Sequence, residues 1–225
     1  MEARPLVSCV VPVFNGALYL TEAIESIEAQ TWRPIEIIVV DDGSTDGTPG
    51  IIAGPGGRVR ALGQPNRGPS AARNAGMAIA SGEFVAFLDA DDLWAPDKLA
   101  RQMARFEALA GLDVSLCHAR NWWIDELKHE ATSDSDIMGS VSVAVIRREA
   151  VDRVGLLDET LRHKDWTDWL LRAADAGIVP ETLPEALVLR RIHHHNMSRN
   201  RGSEDAEEQI RLARARLARR RGTPT

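Results

Sequence analysis

The sequence predicts an α/β fold, with a mainly parallel sheet flanked by helices in a single compact domain of a 225-residue chain. Three observations carry that prediction. The first half alternates β-branched runs with stretches of helical periodicity, the order that builds parallel strands joined by crossover helices. Several of the apolar runs are nearly continuous, as in strands buried on both faces. Three of them end abruptly in polar clusters, after Phe14, Val40 and Leu88.

Leu6 to Phe14 is the first strand, and Asn15-Gly16 breaks it. Leu20, Ile24 and Ile27 recur at helical spacing, which predicts an amphipathic helix over about Ala17 to Gln30. Ile35 to Val40 is a second strand, stopped by the turn formers Asp41 to Thr48. Arg58 to Leu62 reads as a short third strand and the alanine-rich Ser70 to Ala80 as a helix. Glu83 to Leu88 is a strand running into Asp89-Ala90-Asp91-Asp92, and Pro96 opens a helix to about Ala110. Leu112 to Cys117 is a further strand. Beyond it the pattern loosens: Asn121 to Asp136 reads as a loop or variable insertion. Val141 to Ile146 reads as a strand, and Arg147 to Val154 as a short helix closed by Gly155. Asp165 to Ala176 is a helix with Trp166, Trp169, Leu170 and Ala173 on one face, expected to be core packing. Leu187 to Ile192 is a last strand, and Ser203 to Arg221 an arginine-rich helix.

At 44% hydrophobic and 27% charged, the chain can bury a core and stay soluble. Its net charge of −6 argues against nucleic acid as the main partner, because phosphate backbones recruit basic surfaces. Cys9 and Cys117 lie in apolar runs and read as buried free thiols of a reducing compartment. Met1 to Pro5 lacks the apolar core and cleavage site of a signal peptide, and no apolar run approaches the ~20 residues of a membrane span. A cytoplasmic location is expected. The basic run Arg211 to Arg221 reads as a solvated helix, with peripheral contact to anionic headgroups on the inner membrane face as the alternative.

Parallel sheets bind ligands at the carboxyl ends of their strands, so one cleft is expected to collect Asn15, Asp41, Asp42, Asp89, Asp91 and Asp92. The three carboxylates of Asp89-Ala90-Asp91-Asp92 repel one another, and beside a buried strand they call for a cation. Hard oxygen ligands suit Mg²⁺ or Mn²⁺, which complete their shells with phosphate oxygens and water. A solvated turn that caps the next helix is the plainer reading. A carboxylate in Asp41-Asp42-Gly43-Ser44-Thr45-Asp46 suits a hydrogen bond from a base or a ribose, or else a tight turn.

With these residues in view, the chain resembles family 2 of the inverting, GT-A-fold glycosyltransferases. The resemblance rests on Val10-Val11-Pro12-Val13-Phe14-Asn15, Ser26-Ile27-Glu28-Ala29-Gln30-Thr31, Glu36 to Thr48, Asn66 to Gly76 and Gly82 to Asp92 with Pro96-Asp97-Lys98-Leu99 behind it. It spans roughly residues 6 to 198. It implies that Pro12, Phe14, Asn15 and Asp42 hold the nucleobase, that Arg73 and Asn74 line the donor site, and that Asp89, with Ala90 beside it, lies nearest the ribose and sugar. Asp91 becomes a metal ligand, a role that the residues by themselves do not separate from Asp89. Asp165 matches the general base that an inverting transfer needs, with Asp168 as the alternative. Lys164 stands where the family usually has glutamate. In Arg191-Ile192-His193-His194-His195-Asn196-Met197-Ser198, the match singles out His193 for the metal or diphosphate; His194 and His195 gain no role.

The resemblance thus implies a metal-assisted transfer from a nucleoside diphosphate sugar, by default a UDP-sugar, to a hydroxyl of a glycan, a lipid-linked acceptor or a small molecule. The expected layout is one domain over residues 1–200, with a nucleotide-binding half of about 1–118 and an acceptor half of about 119–200, and a basic helical tail over 201–225. A nucleotide-sugar-binding module without activity is the alternative. A nucleotidyltransferase fits less well, because Val10 to Gly16 has no basic residue. A Rossmann dehydrogenase lacks its G-x-G-x-x-G after the first strand.

Overall fold

A computed structural model describes residues 4–54, 59–130, 140–197 and 202–222. The strands are β1 (Val7–Val13), β2 (Ile35–Asp41), β3 (Arg60–Gly63), β4 (Phe84–Phe87), β5 (Leu93–Trp94), β6 (Val114–Trp123), β7 (Val145–Arg147) and β8 (Glu181–Ile192). The helices are α1 (Leu20–Glu28), α2 (Thr48–Ile52), α3 (Pro69–Ile79), α4 (Lys98–Ala108), α5 (Arg148–Val154), α6 (Asp165–Asp175) and α7 (Gly202–Gly222). The described strands form one sheet in the order β3-β2-β1-β4-β7-β6-β8-β5. Pairs β2–β3, β1–β2, β1–β4 and β6–β8 are parallel; β4–β7, β6–β7 and β5–β8 are antiparallel. The expected mainly parallel α/β architecture is therefore present, with β7 reversing direction at the middle of the sheet.

Val7, Cys9, Val10, Val11, Ile38, Val39 and Val40 are all fully buried, so neither face of β1 and β2 meets water. Gly76 sets how close α3 comes to them. A Cβ there would stand 2.4 Å from Val10 Cγ1 and 3.2 Å from Val40 Cγ2. Only glycine lets α3 lie directly on these strands, and α3 carries Ser70, Arg73 and Asn74. Cys9 and Cys117 are buried free thiols, and burial pushes the Cys9 thiol up to about 12, which makes it inert. The buried Lys98 ammonium is pulled down to about 8 by desolvation; it donates to Gln102 Oε1 (2.8 Å) and lies over the Trp94 ring.

The second half departs from the sequence reading. Residues 121–123 are not loop: β6 continues to Trp123, pairing Asn121, Trp122 and Trp123 with Arg190, Arg191 and Ile192. β8 likewise starts at Glu181, six residues before the expected Leu187. Pro184 hid this strand, because proline donates no ladder hydrogen bond; the register slips between Leu116 and Ala119, opposite it. Residues 141–143 form a 3₁₀ turn before β7. The short α2 and β5 had not been expected. Arg58, positions 131–136 of the stretch read as an insertion, residues 137–139, Ser198 and residues 223–225 lie outside the described residues.

No helix of the described residues is long and apolar enough to cross a membrane. Three arginines of α7 turn onto the protein itself: Arg211 pairs with Asp158, and Arg216 and Arg219 with Asp175.

Candidate active site

Because β1, β2 and β4 run parallel, the residues that follow them gather at one edge of the sheet. Asn15 turns the chain after β1 in the left-handed region (φ 52°), which asparagine tolerates. Its N–H donates to Ser44 Oγ (2.8 Å), and its Oδ1 accepts the Thr45 N–H (2.8 Å). Asp46 accepts the N–H groups of Ala17 (3.1 Å) and Thr48 (2.9 Å). The loops after β1 and β2 are thereby tied together, with Pro12 buried and Phe14 51% exposed at the rim. The hydrogen bond with the Thr48 side chain, followed by the weaker opposing effect of desolvation and then by the backbone donors, holds the Asp46 carboxyl below its ordinary range.

Asp42 is buried. Its Oδ1 accepts from Gln64 Nε2 (2.7 Å) and the Arg67 N–H (2.9 Å), and its Oδ2 from the Gly68 N–H (2.8 Å). It therefore pins the segment that enters α3, where Gly68 sits at φ 91°. Asn74, expected to line the donor site, is committed elsewhere. Its Nδ2 donates to Leu157 O (2.9 Å) and Glu159 Oε1 (3.1 Å), and its Oδ1 accepts the Leu157 N–H (3.0 Å).

The residue before Asn74 on α3, Arg73, joins two of the expected site carboxylates. Its Nη2 donates to Asp89 Oδ1 (2.6 Å) and its Nη1 to Asp165 Oδ2 (3.0 Å). Burial works against the guanidinium charge, but Asp89 and Asp165 outweigh it and raise the pKa further. Ser70 Oγ donates to the same Asp165 Oδ2 (2.9 Å). Asp168, the alternative base, pairs instead with Arg172 Nε (2.7 Å) and faces Arg219 of α7. Trp166 and Trp169 stack on each other in the interior, as expected.

Asp91 and His193, 102 residues apart, meet: His193 Nε2 lies 2.9 Å from Asp91 Oδ2, which also accepts from Asn196 Nδ2 (3.1 Å). Ala90, between Asp89 and Asp91, is partly buried. Asp92 is buried, and desolvation first, then Asp91 and Asp89, push its carboxyl well above the usual range. Its Oδ1 accepts the Arg191 N–H (3.0 Å). Arg191 organises this corner. It donates from Nε to Asp91 O (3.0 Å), pairs with Glu22, and its guanidinium lies 4.4 Å from the ring centroids of both Tyr19 and Trp122. Sequence reading gave no role to Arg191, Asn196, Ser70 or Glu159. Asn196 and Arg191 stood inside the quoted histidine segment and Ser70 inside Asn66 to Gly76, so a signal existed for them.

The donor set fits a divalent cation. A carboxylate and an imidazole adjoin, beside the buried carboxyl of Asp92, which desolvation and then Asp91 and Asp89 push up. Among the described residues no three His, Cys, Asp or Glu side chains converge as a metal centre.

A family model described as Glycosyl transferase family 2 matches residues 8–154. An uncharacterised glycosyltransferase of Nostoc sp. is 32% identical over 228 residues, covering 91% of this chain and 70% of that protein. The succinoglycan biosynthesis protein ExoO of Rhizobium meliloti is 44% identical over 118 residues, covering 52% of this chain and 34% of that protein. The fold is similar to that of S. aureus TarS in complex with UDP (TM-score 0.75, 22% identity, 94% of this chain, 65% of that one). It is also similar to that of the mannosyltransferase PcManGT from Pyrobaculum calidifontis in complex with GDP-Man and Mn²⁺ (TM-score 0.72, 24% identity, 95% of this chain, 65% of that one). The chain thus spans about a third of the Rhizobium protein and 65% of either solved chain. The family match takes in the loops after β1, β2 and β4 together with α3, and this chain belongs to glycosyltransferase family 2.

Proposed function

We propose that the chain transfers a sugar from a nucleoside diphosphate sugar to an acceptor hydroxyl in a single displacement that inverts the anomeric centre. The observation that supports this most is the Arg73 bridge, one guanidinium that pairs with both Asp89 and the base candidate Asp165. Residues of about 1–118 form the donor half in this reading, and about 119–200 the acceptor half.

Pro12, Phe14 and Asn15 wall the base. Asp42 Oδ2, with one protein donor, is the oxygen left to take a base N–H. Asp89 faces the ribose and sugar. Asp165 takes both its described hydrogen bonds on Oδ2, which leaves Oδ1 to accept the proton of the attacking hydroxyl. Asp91 and His193 are the residues to hold Mn²⁺ or Mg²⁺, which when bound neutralises charge on the departing diphosphate. Asn74 positions the 157–159 segment and does not touch the donor. The relatives named for UDP, GDP-Man and succinoglycan biosynthesis make a UDP- or GDP-sugar the donor to try first, and a polysaccharide the acceptor class.

The test is a thermal-shift panel of UDP-glucose, UDP-N-acetylglucosamine and GDP-mannose, with and without Mn²⁺, followed by nucleotide release with the donors that bind. A donor that binds the folded state raises Tm. Stabilisation that needs Mn²⁺, with release that Asp165→Asn lowers by about 100-fold or more, is the expected result. Normal release by Asp165→Asn overturns the base assignment, and no stabilisation by any donor overturns the reading.

A further inference from the structure

The turn that delivers Asp165 is held from outside its own neighbourhood. α6 begins at Asp165 after Lys164, and no side chain of its own caps it. Helix starts leave backbone N–H groups without partners. In the segment that leads up to this start, three consecutive N–H groups, at Arg162, His163 and Lys164, point at a single carboxylate, that of Glu208 on α7. Oε1 accepts from Arg162 (2.6 Å), and Oε2 from His163 (3.0 Å) and Lys164 (3.1 Å). Successive N–H groups of this kind make an anion nest, filled here by the chain's own glutamate.

Neighbouring contacts reinforce the hold. The Lys164 ammonium pairs with Asp205 of α7 (3.0 Å), so the lysine at the position before the base turns to this helix. Arg211 donates to Thr160 Oγ1 and Asp158 Oδ2. From the other side, α3 holds the same segment through Asn74 at Leu157 and Ser70 at Leu161 and Asp165. Residues 157–165 are therefore clamped between α3 and α7, and Glu208 takes the last three N–H groups before the base.

We propose that Glu208 is a positioning residue for transfer: by binding the N–H groups of residues 162–164 it fixes the first turn of α6 and so the direction of the Asp165 carboxylate. Glu208 touches no reacting atom. This rests on the reading of Asp165 as the base. Small misplacements of a catalytic group have large effects on turnover, so a lost anchor is expected to reach kcat and leave donor binding alone.

The experiment is a cycle of Glu208→Ala, Asp165→Asn and the double variant in the full chain. Its readouts are nucleotide release from the three donors above with Mn²⁺, donor affinity, and amide hydrogen exchange at residues 162–164. Glu208→Ala is expected to lower kcat by about 10-fold or more with donor affinity unchanged, and to do almost nothing further in the Asp165→Asn background. Exchange at 162–164 is expected to quicken by at least about 10-fold. Glu208→Gln, which keeps one acceptor oxygen, should recover part of the turnover and serves if the alanine variant fails to fold. Unchanged kcat, an equal loss in both backgrounds, or unchanged exchange at 162–164 overturns the proposal. If Asp165→Asn releases nucleotide normally, or no donor is turned over, the underlying reading falls and this inference with it. If Asp165→Asn is inactive while Glu208→Ala is unimpaired, only the inference falls.

Discussion

Two acidic runs end two parallel strands that flank β1, and the protein neutralises them in different ways. The run after β2 is satisfied mostly by backbone N–H groups of the loops around it. Asp41 accepts from Ser44, Asp42 from Arg67 and Gly68, and Asp46 from Ala17 and Thr48. The run after β4 relies more on side chains. Arg73 serves Asp89, while His193 and Asn196 serve Asp91 from more than a hundred residues on; Asp92 has the Arg191 N–H. Carboxylates met by backbone donors hold loops in place. Carboxylates gathered by distant side chains, with too little positive charge among them, make a place for a charged ligand.

The largest effect that tests this contrast is on activity. Asp91→Asn is expected to lower nucleotide release by about 100-fold or more and to abolish Mn²⁺-dependent stabilisation by the donor. Its fold should survive, since the Asp91 side chain is 31% exposed. Near-parent release with an intact Mn²⁺ effect would break the contrast outright.

A pair of stability measurements comes next. Asp42→Asn puts an amide donor among three donors and should cost about 1–3 kcal/mol in urea denaturation. Asp92→Asn keeps the oxygen that accepts the Arg191 N–H and removes a buried charge beside two carboxylates. In metal-free buffer it should be neutral or stabilising, by on the order of 1 kcal/mol. Equal destabilisation by both variants would show that the second run is as structural as the first.

The smallest effect belongs to Asp46, whose carboxyl is held below its ordinary value on an exposed loop. A depressed carboxylate stabilises above its unfolded pKa, and that stabilisation is lost as pH falls through the folded value. Asp46→Asn should therefore cost less than about 1 kcal/mol near neutral pH, after solvent screening. The difference from the parent should vanish in strong acid; a gap in Tm that persists there removes the electrostatic explanation.

The first half of the fold was legible because its signals are local. Buried strands show as apolar runs, and their ends show as turn formers. β1, β2, β4 and α3 lie within one or two residues of where periodicity puts them. The second half was not, because β6 and β8 support each other across a long separation. Trp122 and Trp123 are strand residues only through Arg191 and Ile192, and Pro184 gave the signature of a break. In the site, Asp91 and His193 were paired by resemblance, and Asn74 was assigned to the donor though its amide is taken up by Leu157.

By itself the sequence determined the kinds of groups available and the strand ends that carry them, since chain geometry and burial preferences act within a few residues. Tertiary structure alone decided which carboxylates share a cation. Arg73 reaches both Asp89 and Asp165, Arg191 ties Asp91 and Asp92 to Glu22, and Glu208 closes on the turn before Asp165. Such pairings depend on distances in space, which sequence separation does not encode. In a buried setting those distances set how strongly charges act on one another.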